Sequence, residues 1–270
     1  MKKHIPLKKF SQNFLIDSNI IKKIIEFINP KLNETLVEIG PGLAALTRPI
    51  CHLINELIIV EIDYSLLERL KKFSFYSKLV VFHQDALTFD YLELFNKKNQ
   101  LIRVFGNLPY NISTSLILYL FQKIQIIKDM NFMLQKEVAE RLIASPGSKS
   151  YGRLSIIAQY YCNMTKLLNV SPKCFRPVPQ VDSIFINLTP YATNYYPYFT
   201  HDVRVLSYIT NLAFQKRRKI LRHSLGQIFS EKVLITLDIN PRLRPENISI
   251  LQYCKLSNYM IENNIYQNYI

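Results

Sequence analysis

The chain reads as a doubly wound α/β sheet followed by a small C-terminal all-α domain. Three observations predict this. Short β-branched runs alternate with helical patterns from residue 35 to residue 144, the βαβα rhythm of a parallel sheet. The strand candidates lack strict apolar–polar alternation, as expected when helices cover both faces. After a linker-like stretch from Pro190 to Pro197 (PYATNYYP), the pattern stays helical to the end. The expected domains are therefore 1–190 and 191–270, and 270 residues suffice for one large and one small domain.

The elements come in order. Ile20, Ile21, Ile24, Ile25 and Ile28 have helical spacing, with Asp17 or Ser18 able to cap the helix over 18–28. Thr35–Ile39 reads as a strand, Leu43–Leu53 as a helix, Leu57–Ile62 as a strand and Ser65–Phe73 as a helix. Leu79–His83 is a strand, Tyr91–Phe95 a short helix, Leu101–Phe105 a strand and Ser113–Gln122 a helix. Asn131–Leu134 is a strand and Lys136–Ala144 a helix; after Ser145-Pro146-Gly147, residues 153–162 look helical. Two more strands are expected around 165–170 and 183–188.

Composition narrows the function. Basic residues number 34 against 20 acidic, a net charge of +14, and the excess is spread: 24 against 15 over residues 1–190, and 10 against 5 beyond. Spread positive charge suits a body that lies on a polyanion, although it also serves solubility. No apolar run approaches the ~20 residues of a membrane span, and no apolar stretch follows the N-terminal lysines as in a secretory signal. The four cysteines are scattered without a CxxC pair, which suits a reducing cytosol and disfavours zinc. Nothing suggests a dimer seam, so a cytoplasmic monomer is expected. Only six glycines occur, where an average of ~7% would give many more.

Two of these, Gly40 and Gly42, end the first strand of the alternating region in Val37-Glu38-Ile39-Gly40-Pro41-Gly42. Glycine there lets a ligand approach the backbone at the sheet's carboxyl edge. Gly-x-Gly alone is weak, serving NAD, other nucleotides or a plain turn; Ala45 stands where a dinucleotide fingerprint has its third glycine. The next strand ends in Val60-Glu61-Ile62-Asp63, where a carboxylate can accept both ribose hydroxyls, or Asp63 can simply cap a helix. Asp85 ends the third strand and can accept from an adenine amino group or cap the next segment. The fourth ends in Phe105-Gly106-Asn107-Leu108-Pro109-Tyr110. Asn107 offers a carbonyl acceptor, Pro109 keeps Leu108 extended, and Tyr110 offers a flat face. Two acceptors beside an aromatic face are what an exocyclic amino nucleophile needs; the bland alternative is a strand-to-helix turn.

These segments, with KKFSQNFL, QKEVAERL, YGRLS, FRPVPQVDS, AFQKRRK and ENISILQYCKLSNYM, occur in the order seen in a known family. Over essentially its whole length the chain resembles the S-adenosylmethionine-dependent ribosomal RNA adenine dimethyltransferases of the KsgA type. Erythromycin-resistance methyltransferases share the core motifs, but QKRRK and ENISILQY favour the housekeeping branch. The resemblance implies a Rossmann-like methyltransferase sheet and S-adenosylmethionine as cofactor. It implies dimethylation of the 6-amino groups of two adjacent adenosines in the loop of the 3′-terminal helix of 16S ribosomal RNA. The implied partner is that RNA within the 30S subunit or its precursor, with no DNA and no membrane. Asn13, Leu15, Gly40, Glu61, Asp85 and Asn107 fall on the family's cofactor positions. Asn107, Leu108 (through its backbone) and Tyr110 fall on the group that holds the adenine, and Phe175 on a second stacking partner. Ser11 stands where the family pattern has glycine; a left-handed backbone there would cost Ser of order 1 kcal/mol.

Two basic patches are candidates for RNA: Lys2, Lys3, Lys8 and Lys9, and the run Lys216, Arg217, Arg218, Lys219 with Arg222. The run is expected on a helix, where four consecutive cations go all round and favour phosphate over one neutralising face. Arg242 and Arg244 can add to it. A non-catalytic assembly factor would need neither Glu61 nor Asp85, and an NAD-dependent dehydrogenase is disfavoured by Ala45 and the NLPY segment. The five histidines lack metal spacing.

Overall fold

The computed structural model describes residues 12–192 and 198–268. Lys2, Lys3, Lys8, Lys9, Ser11 and residues 193–197 of the expected linker lie outside the described residues. The chain divides into two compact units: residues 1–139 with 163–190, and residues 140–162 with 191–270. The boundary expected at 190 is thus one of three crossings, and the stretch from Glu140 to Cys162, expected in the first unit, groups with the second.

In the first unit, β1 (Phe14–Leu15) leads into α1 (Ser18–Ile28). The Asp17 carboxylate caps α1, accepting from the backbone N–H groups of Asn19 and Ile20. Ile24 and Ile28 are buried on its apolar face, and Asn29 ends it in the left-handed region at φ 46°. The alternation then runs β2 (Thr35–Ile39), α2 (Thr47–Cys51), β3 (Leu57–Glu61), α3 (Tyr64–Leu70), β4 (Leu79–His83), α4 (Tyr91–Lys98), β5 (Ile102–Asn107), α5 (Ser113–Phe121) and β6 (Ile127–Gln135). Helix α2 is shorter than expected. Gly42 and Ala44 both have positive φ, and a helix cannot propagate through left-handed residues.

After α6 (Lys136–Leu142) and α7 (Arg153–Tyr161), the chain forms β7 (Cys162–Val170), β8 (Phe175–Arg176) and β9 (Ser183–Pro190). The large sheet has the order β4-β3-β2-β5-β6-β9-β7, and β8 pairs separately with β1. Strands β4, β3, β2, β5 and β6 are parallel, but β9 runs antiparallel to β6, with Gln135 opposite Ser183. The parallel sheet expected from the alternating region is present in β2 to β6, and β9 makes the whole sheet mixed. No crossover helix lies between β7 and β9, the device that would have returned the chain parallel. Strands β2 and β3 are buried along their whole length, which explains their continuous apolar character. Because β2 has β3 on one side and β5 on the other, the strand order reverses there and opens a crevice at the carboxyl ends.

In the second unit, α8 (Val203–Gln215) packs on α7 and on α11 (Ile250–Glu262), with α9 (Leu221–Ser224) and α10 (Glu231–Thr236) between. Its two largest buried polar rings are satisfied: Tyr151 donates to the Ile248 carbonyl at 3.0 Å and Tyr253 to that of Pro245 at 2.9 Å. Among the described residues no helix is long and apolar enough to cross a membrane.

Candidate active site

A cavity of about 280 Å³ occupies the crevice where the strand order reverses. The backbone shapes it first. The Gly40 N–H donates to the Val60 carbonyl at 3.0 Å, turning the chain off the end of β2. Gly42 has φ +57°, and a Cβ there would come within 2.9 Å of the Phe14 ring, so only glycine lets Phe14 close over this loop. At Gly106 a Cβ would lie 2.4 Å from the Ile39 carbonyl oxygen, so glycine also permits the close approach of β5 to β2.

Asn13, Leu15, Gly40, Glu61, Asp85, Asn107, Leu108 and Tyr110, all expected from the sequence, line this one cavity. Glu61 is buried at the end of β3, where its carboxylate accepts from the Asp63 N–H at 2.9 Å. Burial pushes its pKa up, against hydrogen bonds from the backbone of Asp63, Gly42 and Ile62. Asp63 does cap α3, but it is buried rather than solvated: one oxygen accepts from the Ser65 N–H at 2.9 Å and the other from Gln12 Nε2 at 2.8 Å. Asp85 caps the following segment, its Oδ1 accepting from the Leu87 N–H at 2.9 Å, and the residue also lines the cavity.

The NLPY segment is held at several points. Asn107 Nδ2 donates to the Asn13 carbonyl at 2.7 Å. Only the amide NH2 can donate to a carbonyl, so this bond leaves Oδ1 as the acceptor face of the side chain. The Leu108 side chain is buried, and its N–H donates to the Met133 carbonyl at 3.3 Å. The Tyr110 phenol shares a 2.8 Å hydrogen bond with Ser183 Oγ, and Ser113 Oγ donates to the Tyr110 carbonyl at 3.2 Å.

Three expectations change. Phe175 is 0% exposed, sits in β8 opposite Leu15, belongs to the hydrophobic core and does not line the cavity. Pairing of β8 with β1 turns its ring into the core, so it is not presented as a stacking face. The run Lys216 to Lys219 follows the last residue of α8 rather than lying on a helix. Cations there complement the helix C-terminus. Lys216, Arg218 and Lys219 are exposed, but Arg217 is half-buried, with Nε 2.6 Å from Glu246 and Nη2 donating to the Lys149 carbonyl at 2.6 Å. Arg222 faces Glu231 at 3.4 Å.

Sequence reasoning missed Glu38. It is 2% exposed, lines the cavity, and its Oε2, like the nearby Thr47 hydroxyl, is buried without a hydrogen-bond partner among the described residues. Burial, opposed by the Thr47 hydroxyl and aided by the negative charge of Glu61, pushes its carboxyl up to about 8. The available signal was an acidic residue inside an otherwise apolar, continuously buried strand. Among the described residues no cluster of His, Cys, Asp and Glu could hold a metal ion.

The model of the ribosomal RNA adenine dimethylase family matches residues 5–262. The chain belongs to that family. It is an enzyme, a methyltransferase that acts on adenine in ribosomal RNA. The dimethylase is 70% identical over 268 residues to the ribosomal RNA small subunit methyltransferase A of Buchnera aphidicola subsp. Schizaphis graminum, covering 99% of this chain and 97% of that one. To the protein of the same name from Escherichia fergusonii it is 52% identical over 261 residues, covering 96% and 95%. A crystal structure of a dimethyladenosine transferase from Plasmodium falciparum superposes with a TM-score of 0.79 at 26% identity, covering 93% of this chain and 98% of that one.

Proposed function

We propose that this dimethylase uses S-adenosylmethionine to dimethylate the 6-amino groups of two adjacent adenosines in the loop of the 3′-terminal helix of 16S ribosomal RNA. It would act in the cytoplasm on the 30S subunit or its precursor, as a step in small-subunit biogenesis. The observation that carries this reading is the fixed orientation of Asn107. The Asn13 carbonyl occupies its NH2 group, so Oδ1 stands as an acceptor on a cavity that also holds a buried carboxylate, Glu61.

The residues present fit the cofactor. Gly40 and Gly42 leave the backbone open at their own positions in the loop, Glu61 can accept two ribose hydroxyls, and Asp85 can accept from an adenine amino group. Glu38 contributes an unpartnered buried oxygen on the same wall. When bound, S-adenosylmethionine supplies a methyl group already activated on a sulfonium. The chain's own task is positioning. The adenine nitrogen is a poor nucleophile because its lone pair is delocalised into the ring. Acceptors at Asn107 Oδ1 and the Leu108 carbonyl would hold its two hydrogens and aim the lone pair. Tyr110 would lie against the base and favour the positive charge that develops on it. No strong base is needed, because the ammonium product loses its proton readily. A base inside a duplex could not reach this cavity, so the target must be unpaired or flipped out.

Incubation with labelled S-adenosylmethionine and unmethylated 30S subunits, followed by nucleoside analysis, tests the proposal. N6,N6-dimethyladenosine at two adjacent positions is expected. Label confined to other RNA, or to other nucleosides, would overturn it.

A further inference from the structure

Within the FRPVPQVDS segment, Phe175 is withdrawn into the core, so the segment does not serve the site through that ring. Its last residue reaches the site instead. Ser183 opens β9 opposite Gln135 of β6, and the Lys136 N–H donates to the neighbouring Asp182 carbonyl at 2.9 Å. Ser183 is 0% exposed, and its Oγ lies 2.8 Å from the Tyr110 phenol oxygen. Tyr110 is therefore tied at both ends, by Ser113 Oγ at its carbonyl and by Ser183 at its phenol.

We propose that Ser183 is a positioning residue for Tyr110, and that this tether governs the second methyl transfer to each adenine more than the first. The proposal rests on the reading that Tyr110 faces the target base. A tyrosine ring has two soft torsions; anchoring the phenol oxygen to a buried hydroxyl on a paired strand fixes χ1 and the ring's position, and the preference of the phenol O–H for the ring plane biases its tilt before RNA arrives. In each transfer the nitrogen lone pair forms an N–C bond as the C–S bond breaks. The C–S electron pair stays on sulfur, S-adenosylhomocysteine leaves, and the nitrogen gives one proton to solvent.

The two transfers differ in what holds the amino group. Unmethylated adenine offers two N–H groups, enough for both Asn107 Oδ1 and the Leu108 carbonyl. After one transfer a methyl replaces one of them, and a single hydrogen bond must aim the lone pair. The plane of the base then depends more on the aromatic surface beside it, and so on the anchor that fixes Tyr110.

Single-turnover methylation of 30S subunits, resolving mono- and dimethyladenosine, tests this. Ser183→Ala is expected to slow the second transfer about tenfold and the first only about two- to threefold, so that monomethyladenosine accumulates. Affinity for S-adenosylhomocysteine and for 30S subunits should not move. Ser183→Thr, which keeps the hydroxyl, should restore dimethylation. Tyr110→Phe should reproduce the Ser183→Ala pattern, and the double variant should be no worse than either single one. Equal slowing of both transfers, additive losses, or a loss of cofactor affinity would overturn the tether. Tyr110→Ala separates the role of the ring from the role of its anchor. If it is crippled while Ser183→Ala keeps the wild-type product ratio, Tyr110 faces the base and only the tether falls; if it methylates at the wild-type rate, the reading of Tyr110 and the tether fall together.

Discussion

The cavity and the basic run after α8 are assembled in opposite ways. The cavity draws residues from five stretches between Gln12 and Ile112, and three of its polar groups are held: Asn107 by Asn13, Tyr110 by Ser183, Glu61 by the Asp63 backbone. The basic run takes its cations from Lys216 to Arg222, and four of them, Lys216, Arg218, Lys219 and Arg222, are exposed. A group held in one orientation can act on one step of a reaction, so its loss should be large and specific. Exposed cations act through a summed field, so their loss should be gradual and dependent on salt.

The largest effect should come from Asn107→Ala. It removes the acceptor that Asn13 orients, while leaving the Leu108 carbonyl and the Tyr110 ring. Losing one preorganised group of this kind slows turnover roughly 100- to 1,000-fold. RNA binding, set mainly by phosphate contacts, should survive. Single-turnover methylation run beside a 30S binding assay checks this, and a near wild-type rate would reduce NLPY to a structural turn.

Next in size is Glu61→Ala. The ribose hydroxyls would lose a charged acceptor worth ~1.5–3 kcal/mol, with RNA affinity unchanged. Calorimetry with S-adenosylhomocysteine measures it, and unaltered affinity would place the ribose elsewhere.

Glu38 sharpens the comparison through pH. Burial holds its carboxyl at about 8 against an ordinary 4.5, so the folded chain keeps a proton that the unfolded chain gives up. Its contribution to stability is complete below about 4.5 and is lost as pH rises through about 8. The slope between these limits is at most about 1.4 kcal/mol per pH unit. Glu38→Gln should flatten the decline, which thermal melts of the cofactor-free protein at pH 6 and pH 9 would show. Parallel declines in both proteins would mean that Glu38 is already ionised when folded.

Legibility in the sequence divides along the same line, between local and assembled features. Gly40 and Gly42 were legible because a turn that a ligand approaches closely restricts residue type, and Glu61, Asp85 and NLPY because they end successive strands at one sheet edge. Non-local facts stayed hidden. The face taken by Phe175 depends on β8 pairing with β1. The partner of Arg217 is Glu246, and Ser183 meets Tyr110 only after β9 pairs with β6. Local pattern also overextended α2, because nothing short of the backbone shows that Ala44 is left-handed. Glu38 was visible as a letter, but its burial was not.

The smallest effects test whether the basic run is one functional unit. Its residues look equivalent in sequence, yet Arg217 bonds Glu246 and the Lys149 carbonyl while its neighbours are exposed. If the run touches phosphate, replacing Lys216, Arg218 and Lys219 by Ala should lower the log–log salt slope of 30S binding by about 0.7 to 0.9 for each phosphate no longer neutralised. The melting temperature should hardly move. Arg217→Ala should do the reverse, lowering stability by ~0.5–1 kcal/mol, the worth of a partly exposed ion pair, with a smaller change in slope. Salt titration and melting of both variants separate the roles. If Arg217→Ala flattens the slope as much per charge as the triple variant does, its pairing with Glu246 does not keep it from the RNA, and the run acts as one electrostatic patch.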